Sequence, residues 1–216
     1  MEANVAIRLT PPMMTNASTI TVPIATHHLE KPHAEFIADR FLTDAVCHNK
    51  VRNALGFTGT HKGVRVSIQS TGMGMPSAAI YVSELLTTYN ARVLIRIGTC
   101  GAIRADLRTR DLVLAQSAAT DSAMFRQTFN GSTFAATASF DLLQRAHSLA
   151  FEWGKPLRVG QVLTSDTFYP DESQLATWWN PWAEHGVLAA EMETAAVYTL
   201  AARRSKIKTL IVPEAN

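Results

Sequence analysis

Hydrophobic and polar positions change their period several times along this chain. Val64, Val66 and Ile68 alternate with Arg65, Ser67 and Gln69, the period of two that marks a half-buried strand. Thr71-Gly72-Met73-Gly74-Met75-Pro76 follows, a glycine-rich loop with proline placed to start a helix. Ala78, Tyr81, Val82, Leu85, Leu86 and Tyr89 then recur at spacings of three and one, an amphipathic helical stripe. Val93 to Ile97 is a short apolar run ending at Gly98 and reads as a buried strand, as does Leu112 to Ala115. A second helix is expected from Phe140 to Trp153, with Leu142, Leu143, Ala146, Leu149, Ala150 and Trp153 on its apolar face and Gly154 at its end. Val159 to Leu163 predicts a strand, Glu191 to Arg203 an alanine-rich helix, and Ile207 to Val212 a last strand. This alternation predicts an α/β fold: a single domain with a central mixed β-sheet flanked by helices.

Residues 1–26 break the pattern. They are rich in Thr, Pro and Met, with Glu2 and Arg8 as their only charges, and read as a loosely ordered N-terminal arm before a domain spanning 27–216. Trp178, Trp179 and Trp182 cluster beside Pro181 and Asn180. They read either as a binding surface or, preferably, as anchors beneath a loop.

Composition narrows the function. A chain of 216 residues with 47% hydrophobic and 18% charged residues suits one globular domain rather than a disordered segment. The 20 Lys and Arg against 18 Asp and Glu leave a net charge of +2, which argues against a dedicated nucleic-acid binder. Two cysteines, Cys47 and Cys100, cannot make a disulfide framework and point to a reduced, cytoplasmic setting. No apolar run nears the roughly 18 residues that span a bilayer, and no basic cluster leads into an apolar segment at the N-terminus, so no membrane partner is expected.

Three segments carry candidate chemistry. In Arg96-Ile97-Gly98-Thr99-Cys100-Gly101-Ala102-Ile103 a cation ends a buried strand, and the following turn offers two glycines, a hydroxyl and backbone N–H groups. Such a turn suits an anion such as phosphate; it equally suits a plain strand-to-loop turn with Arg96 paired to a carboxylate. In Glu191-Met192-Glu193-Thr194 two carboxylates two apart at a helix start do not face each other. One can enter a cavity while the other pairs internally, or both can be solvated near the helix dipole. The Gly72 to Pro76 loop permits close backbone approach to a ligand, or simply turns the chain. His27, His28 and His33 lie close together, but with only Glu30 beside them they make no recognisable metal pattern, and no metal is expected.

Taken in order, these segments resemble the nucleoside phosphorylase family, and most closely the bacterial hexameric purine nucleoside phosphorylases. The resemblance runs from about Ala34 to Leu210. It includes Asn53-Ala54-Leu55-Gly56-Phe57-Thr58-Gly59-Thr60, the Gly72 to Pro76 loop, Arg96 to Ile103, Asp121-Ser122, Ser165-Asp166-Thr167-Phe168-Tyr169 and Glu191 to Thr194. It implies phosphate-dependent cleavage of the N-glycosidic bond of purine nucleosides, with phosphate as co-substrate and no metal or organic cofactor. It further implies that Arg96 and Thr99 hold phosphate, that Arg52 is lent to phosphate by a neighbouring subunit of a homo-oligomer, and that Glu193 binds the ribose hydroxyls. Met73 and Met192 would pack on the sugar. Phe168 would stack on the base, with Cys100, Gly101 and Ala190 beside it and Glu191 within the nucleoside site.

The sequence departs from the family in four places. The family's Gly-Asp-Pro-x-x-Arg phosphate loop falls at Leu29 to His33, so Leu29 replaces its glycine and His33, a partial cation, its arginine. The histidine that reaches a neighbour's ribose falls at Met13 or Pro12. The serine of the phosphate turn is Thr99, which keeps the hydroxyl. The sequence runs to Asn216, short of the family's Ser-Asp pair and last helix, which leaves Glu214, after a direction-changing Pro213, as the nearest carboxylate to the family's proton donor. These departures imply weakened or lost turnover. The alternatives are a phosphate-independent nucleosidase and a non-catalytic nucleoside-binding or structural oligomer.

Overall fold

The computed structural model describes the backbone of residues 20–24 and residues 33–155, 157–173, 177–204 and 207–215. Ten strands join in one sheet, and half of them close on themselves. Strand β5 (Val93–Ala102) pairs parallel with β10 (Lys208–Ala215), which meets β6 (Leu112–Thr120) at Glu214 and Leu112. β6 pairs parallel with β8 (Leu157–Thr164), β8 with β9 (Ala189–Glu191), and β9 antiparallel with β5 again. The result is a five-strand ring. From β5 the sheet also extends outward through β1 (Ile20–Ile24), β4 (Val64–Ser70), β3 (Gly56–His61) and the edge strand β2 (Thr43–Asn49). The short β7 (Ala136–Thr137) pairs with β6.

Helices cover the sheet as their sequences dictate. α1 (His33–Phe41) sets Ala34 and Ala38 against Ile68 of β4. α2 (Met75–Thr87) buries Ala78, Tyr81, Val82, Leu85 and Leu86, the stripe expected of it. It packs on α5 (Thr194–Ala202), whose residues from Thr194 to Ala201 are all buried; a helix apolar on every side belongs inside a core. Tyr198 of α5 donates to the Ala115 carbonyl of β6 at 2.5 Å and accepts from the Ile211 N–H of β10 at 3.0 Å, tying the helix to two ring strands. α3 (Phe140–Glu152) packs against β6, β8 and β10. Trp153 does not join its apolar face: it is the C-cap, beyond the last helical turn, and is 69% exposed. Gly154 follows at φ 61°, the left-handed conformation that ends many helices. Trp178, just before α4 (Asn180–Glu184), and Trp182 within it pack against Ile103, Leu163 and Val187 as anchors, while Trp179 is 36% exposed. No helix among the described residues is long and apolar enough to cross a membrane.

The structure corrects four expectations. Ile20–Ile24, assigned to the loose arm, forms β1 between β4 and β5; the Thr and Pro content of 1–26 hides a β-branched run. The ladder to β5 skips Pro23, which has no N–H to give. The turn expected after Ile97 is absent, because β5 continues to Ala102. Glu191 ends β9 instead of opening the helix, which begins at Thr194 with Glu193 as its cap residue. Pro213 does not redirect the chain: β10 runs through it, with Glu214 opposite Thr99.

Candidate functional site

The site forms where β5 changes neighbours. As far as Ile97, β5 lies between β1 and β10; at Gly101 and Ala102 it pairs instead with β9. Gly98 sits between these stretches. A Cβ there would lie 2.9 Å from Arg96 Nη1 and 3.1 Å from Nη2, so the glycine makes room for the guanidinium that folds over it.

Arg96 is 1% exposed and meets two carboxylates. Its Nη2 donates to Glu193 Oε2, and its Nη1 approaches Glu191 Oε2 at 3.5 Å. Buried ions need partners, and each carboxylate is further supplied. Glu191 accepts from the N–H groups of Glu193 at 2.8 Å and Thr194 at 2.9 Å, and from the Thr164 hydroxyl at 2.5 Å. Glu193 Oε1 accepts from the Gly74 N–H at 2.6 Å. That bond draws in the glycine-rich loop, whose Gly72 and Gly74 take φ of 69° and 83°. Both carboxylates are buried, so the solvated alternative does not hold, while the carboxylate-paired alternative for Arg96 does.

The charges here do not cancel: one guanidinium faces two carboxyl groups. Burial pushes the Glu193 carboxyl above its ordinary range against the pull of Arg96, and Glu191 adds to the rise. Arg96 Nε is a buried donor without a hydrogen-bond partner among the described residues. The unused donor of the cation suits an anion, and the carboxylate beside it has the chemistry to accept from hydroxyls.

Several of the expected nucleoside residues lie on the strands and loops that build this centre. Met192 lies between the two carboxylates and is half-buried, and Ala190 pairs with Gly101 across β9 and β5. Thr99, half-buried, follows Gly98. Cys100 is buried, and desolvation pushes its thiol up to about 12, so it can line a site but not react as a thiolate. Met73 is 53% exposed on the loop that Glu193 holds. Phe168 is 62% exposed and meets Tyr169 edge to face at 4.8 Å. The root of that loop is fixed: Ser165 Oγ donates to Asp121 Oδ2 at 2.7 Å, the Asp166 N–H to Asp121 Oδ1 at 3.1 Å, and the Ser165 N–H to the Glu191 carbonyl at 2.9 Å.

Two expected phosphate residues lie on other elements than the Arg96 cluster. Arg52 is exposed in the turn Val51–Asn53 at φ 54°. His33 is the first residue of α1. Residues 12 and 13, His27, His28 and the segment 29–32 lie outside the described residues. The described part of β1 ends at Ile24, in register with Ser70 and Ile97. A cavity of about 420 Å³ between β6, β7, β8 and α3, lined by Gln116, Thr137, Gln161 and Phe140, contains none of the site residues.

Sequence reasoning missed Thr164, whose hydroxyl supports Glu191, and the Gly74 N–H that supports Glu193. The one signal for Thr164 is a hydroxyl closing the apolar run Val162-Leu163.

A sequence model of the Phosphorylase superfamily matches residues 25–212. The chain is 56% identical over 170 residues to a protein named purine nucleoside phosphorylase DeoD-type from Geobacillus kaustophilus (strain HTA426), covering 79% of this chain and 70% of that protein. It is 53% identical over 183 residues to the protein of the same name from Geobacillus sp. (strain WCH70), covering 84% and 76%. Among solved structures, uridine phosphorylase from Vibrio fischeri ES114, complexed with 6-hydroxy-1-naphthoic acid, superposes with a TM-score of 0.82 at 25% identity, covering 94% of this chain and 79% of that one.

Proposed function

The chain belongs to the phosphorylase superfamily, and from that premise we propose that it is a purine nucleoside phosphorylase. Phosphate attacks C1′ of the sugar, the bond from C1′ to the purine nitrogen breaks, and the products are pentose 1-phosphate and the free base, which takes up a proton. No metal or organic cofactor is needed.

The observation that carries this reading is the direct, buried contact between the Arg96 guanidinium and the Glu193 carboxylate. Phosphorolysis needs an anion held against a sugar, and these two groups supply one partner for each. Arg96 and the Thr99 hydroxyl hold phosphate. Its charge also favours the positive character that develops on the sugar as the base departs. Glu193 accepts from the ribose hydroxyls through charge-assisted bonds. Met73 and Met192 pack on the sugar, Phe168 stacks on the base, Cys100, Gly101 and Ala190 form the wall beside it, and Glu191 braces the arginine. Arg52 completes the phosphate site of an adjoining copy in a homo-oligomer of at least two chains in the cytoplasm, and His33 adds a partial cation.

Turnover is slower than in relatives with an intact phosphate loop, because Leu29 and His33 replace its glycine and arginine. Losing one charge-assisted bond costs about 1.5–3 kcal/mol. The test is release of hypoxanthine from inosine with and without phosphate. Phosphate-dependent release supports the proposal. Equal release without phosphate assigns a hydrolase, and inosine binding without release assigns a nucleoside-binding protein. Light scattering that finds a monomer at micromolar concentration removes Arg52 from the site.

A further inference from the structure

Thr164 closes β8, is fully buried, and has been given no role above toward phosphate, sugar or base. Its hydroxyl nevertheless has two partners. It receives the Ala195 N–H, from the first turn of α5, at 2.9 Å, and it donates to Glu191 Oε1 at 2.5 Å. The helix N–H uses hydroxyl acceptor capacity, which directs the single hydroxyl proton toward Glu191. The Thr164 carbonyl in turn accepts from the Thr120 hydroxyl at 2.7 Å. The hydroxyl is therefore fixed by α5 and Glu191, while the Thr164 backbone is tied to β6.

We propose that Thr164 is a positioning residue for the phosphate end of this site, acting through Glu191 on Arg96; the proposal rests on the phosphorylase reading. Glu191 has a divided task. Its Oε2 faces Arg96 Nη1 and accepts from the N–H groups of Glu193 and Thr194, while its Oε1 accepts from Thr164 and, at 3.1 Å, from Thr194. Thr164 supplies the one side-chain donor to Oε1. With that donor in place the carboxylate stays turned so that Arg96 meets it on one edge only, at 3.5 Å. Without it, Glu191 can rotate and close on the guanidinium with both oxygens, a geometry that arginine and carboxylate favour. A guanidinium engaged in that way is a poorer partner for phosphate. The sugar acceptor, Glu193, keeps its own bonds to Arg96 and to Gly74, so the effect falls on one ligand more than the other.

The experiment uses the full chain and three substitutions. Thr164→Val keeps the β-branched shape and removes the hydroxyl, Thr164→Ser keeps the hydroxyl and removes the methyl, and Thr164→Cys retains a weak donor. Calorimetric titration with inorganic phosphate, and separately with inosine, gives affinity for each ligand; steady-state phosphorolysis gives KM for each. Thr164→Val is expected to weaken phosphate about tenfold, the scale of one lost hydrogen bond to a charged group, and inosine by less than about threefold. Thr164→Ser restores phosphate to within about twofold of the parent. A purely structural role lowers stability and both affinities together, so equal losses overturn the proposal. So does an unchanged phosphate affinity, or a serine variant as poor as the valine one. If Thr164→Val precipitates, Thr164→Cys takes its place, with a smaller loss confined to phosphate. A parent chain that binds neither ligand overturns the phosphorylase reading and this proposal with it. A parent that binds both, with no selective loss in the variants, overturns this proposal alone.

Discussion

The two ends of the site are built by opposite means. At the proposed anion end Arg96, Glu191 and Glu193 are buried, and four groups hold the two carboxylates: the Gly74, Glu193 and Thr194 N–H groups and the Thr164 hydroxyl. At the proposed base end Phe168 and Tyr169 are 62% and 82% exposed, and the root of their loop is tied through Asp121. Charge demands the first arrangement: in a medium of low polarity a misplaced ion is costly, so its surroundings must be set before a ligand arrives. Stacking tolerates the second, since an aromatic face gains from contact area with little demand on hydrogen-bond geometry. The proposed anion end is thus organised in advance, and the proposed base end is left open to solvent.

The sharpest way to break this contrast is Arg96→Met, which strands two buried carboxyl groups. It should cost about 3–5 kcal/mol of stability, read from urea unfolding, and abolish phosphate binding in calorimetry. A loss under about 1 kcal/mol would mean that the carboxylates find other partners and that the anion end is not organised as described. Next in size is Glu193→Ala. Inosine should bind about tenfold or more weakly while free hypoxanthine is unaffected, because only the sugar loses its acceptor; equal loss of both ligands contradicts the placement. At the other end, Phe168→Ala should leave stability within about 0.5 kcal/mol and weaken purine binding by about 0.5–1.5 kcal/mol, measured by competition with hypoxanthine. The smallest effect is on pH dependence. Burial raises the Glu193 carboxyl in the folded protein, so the folded state holds that proton more tightly than the unfolded chain. The stability this contributes is complete below the ordinary glutamate range and is lost as pH rises through the raised value. The stability of the parent relative to Glu193→Gln should therefore fall as pH rises from the ordinary glutamate value of about 4.3 through the raised one. Phe168→Ala should show no such slope.

Local pattern carried much of the fold. The stripe from Ala78 to Leu86 and the alternation from Val64 to Ile68 repeat within a few residues, and both became the elements they predict. β1 was not legible, because its place between β4 and β5 depends on residues 46 and 73 positions away in register: Ile20 opposite Val66 and opposite Val93. Nor was the continuation of β5 past Gly98. Glycine there reads locally as a turn, and its actual task is to clear space for a side chain two residues earlier. In the site, Arg96, Glu191 and Glu193 announced themselves as charges at the ends of apolar runs. Their supports did not: the Gly74 N–H meets Glu193 across 119 positions, and Thr164 meets Glu191 across 27. A backbone N–H has no residue type to read, and a threonine at a strand end is common.

The five-strand ring sets an order of assembly. β10 is the last of its strands in sequence, yet it lies between β5 and β6. Until residues 208–215 arrive, β5 has an open edge along the length that carries Arg96, whose register partner is Ile211. Joining strands more than a hundred positions apart is slow, since the entropy of closing so long a loop precedes any reward from contact. A chain emerging from synthesis therefore carries its arginine and two carboxylates hydrated until late, and the last strand to dock seals them. Amide protection during refolding should accordingly arise together in β5 and β10, with the anion pocket drying in the same step.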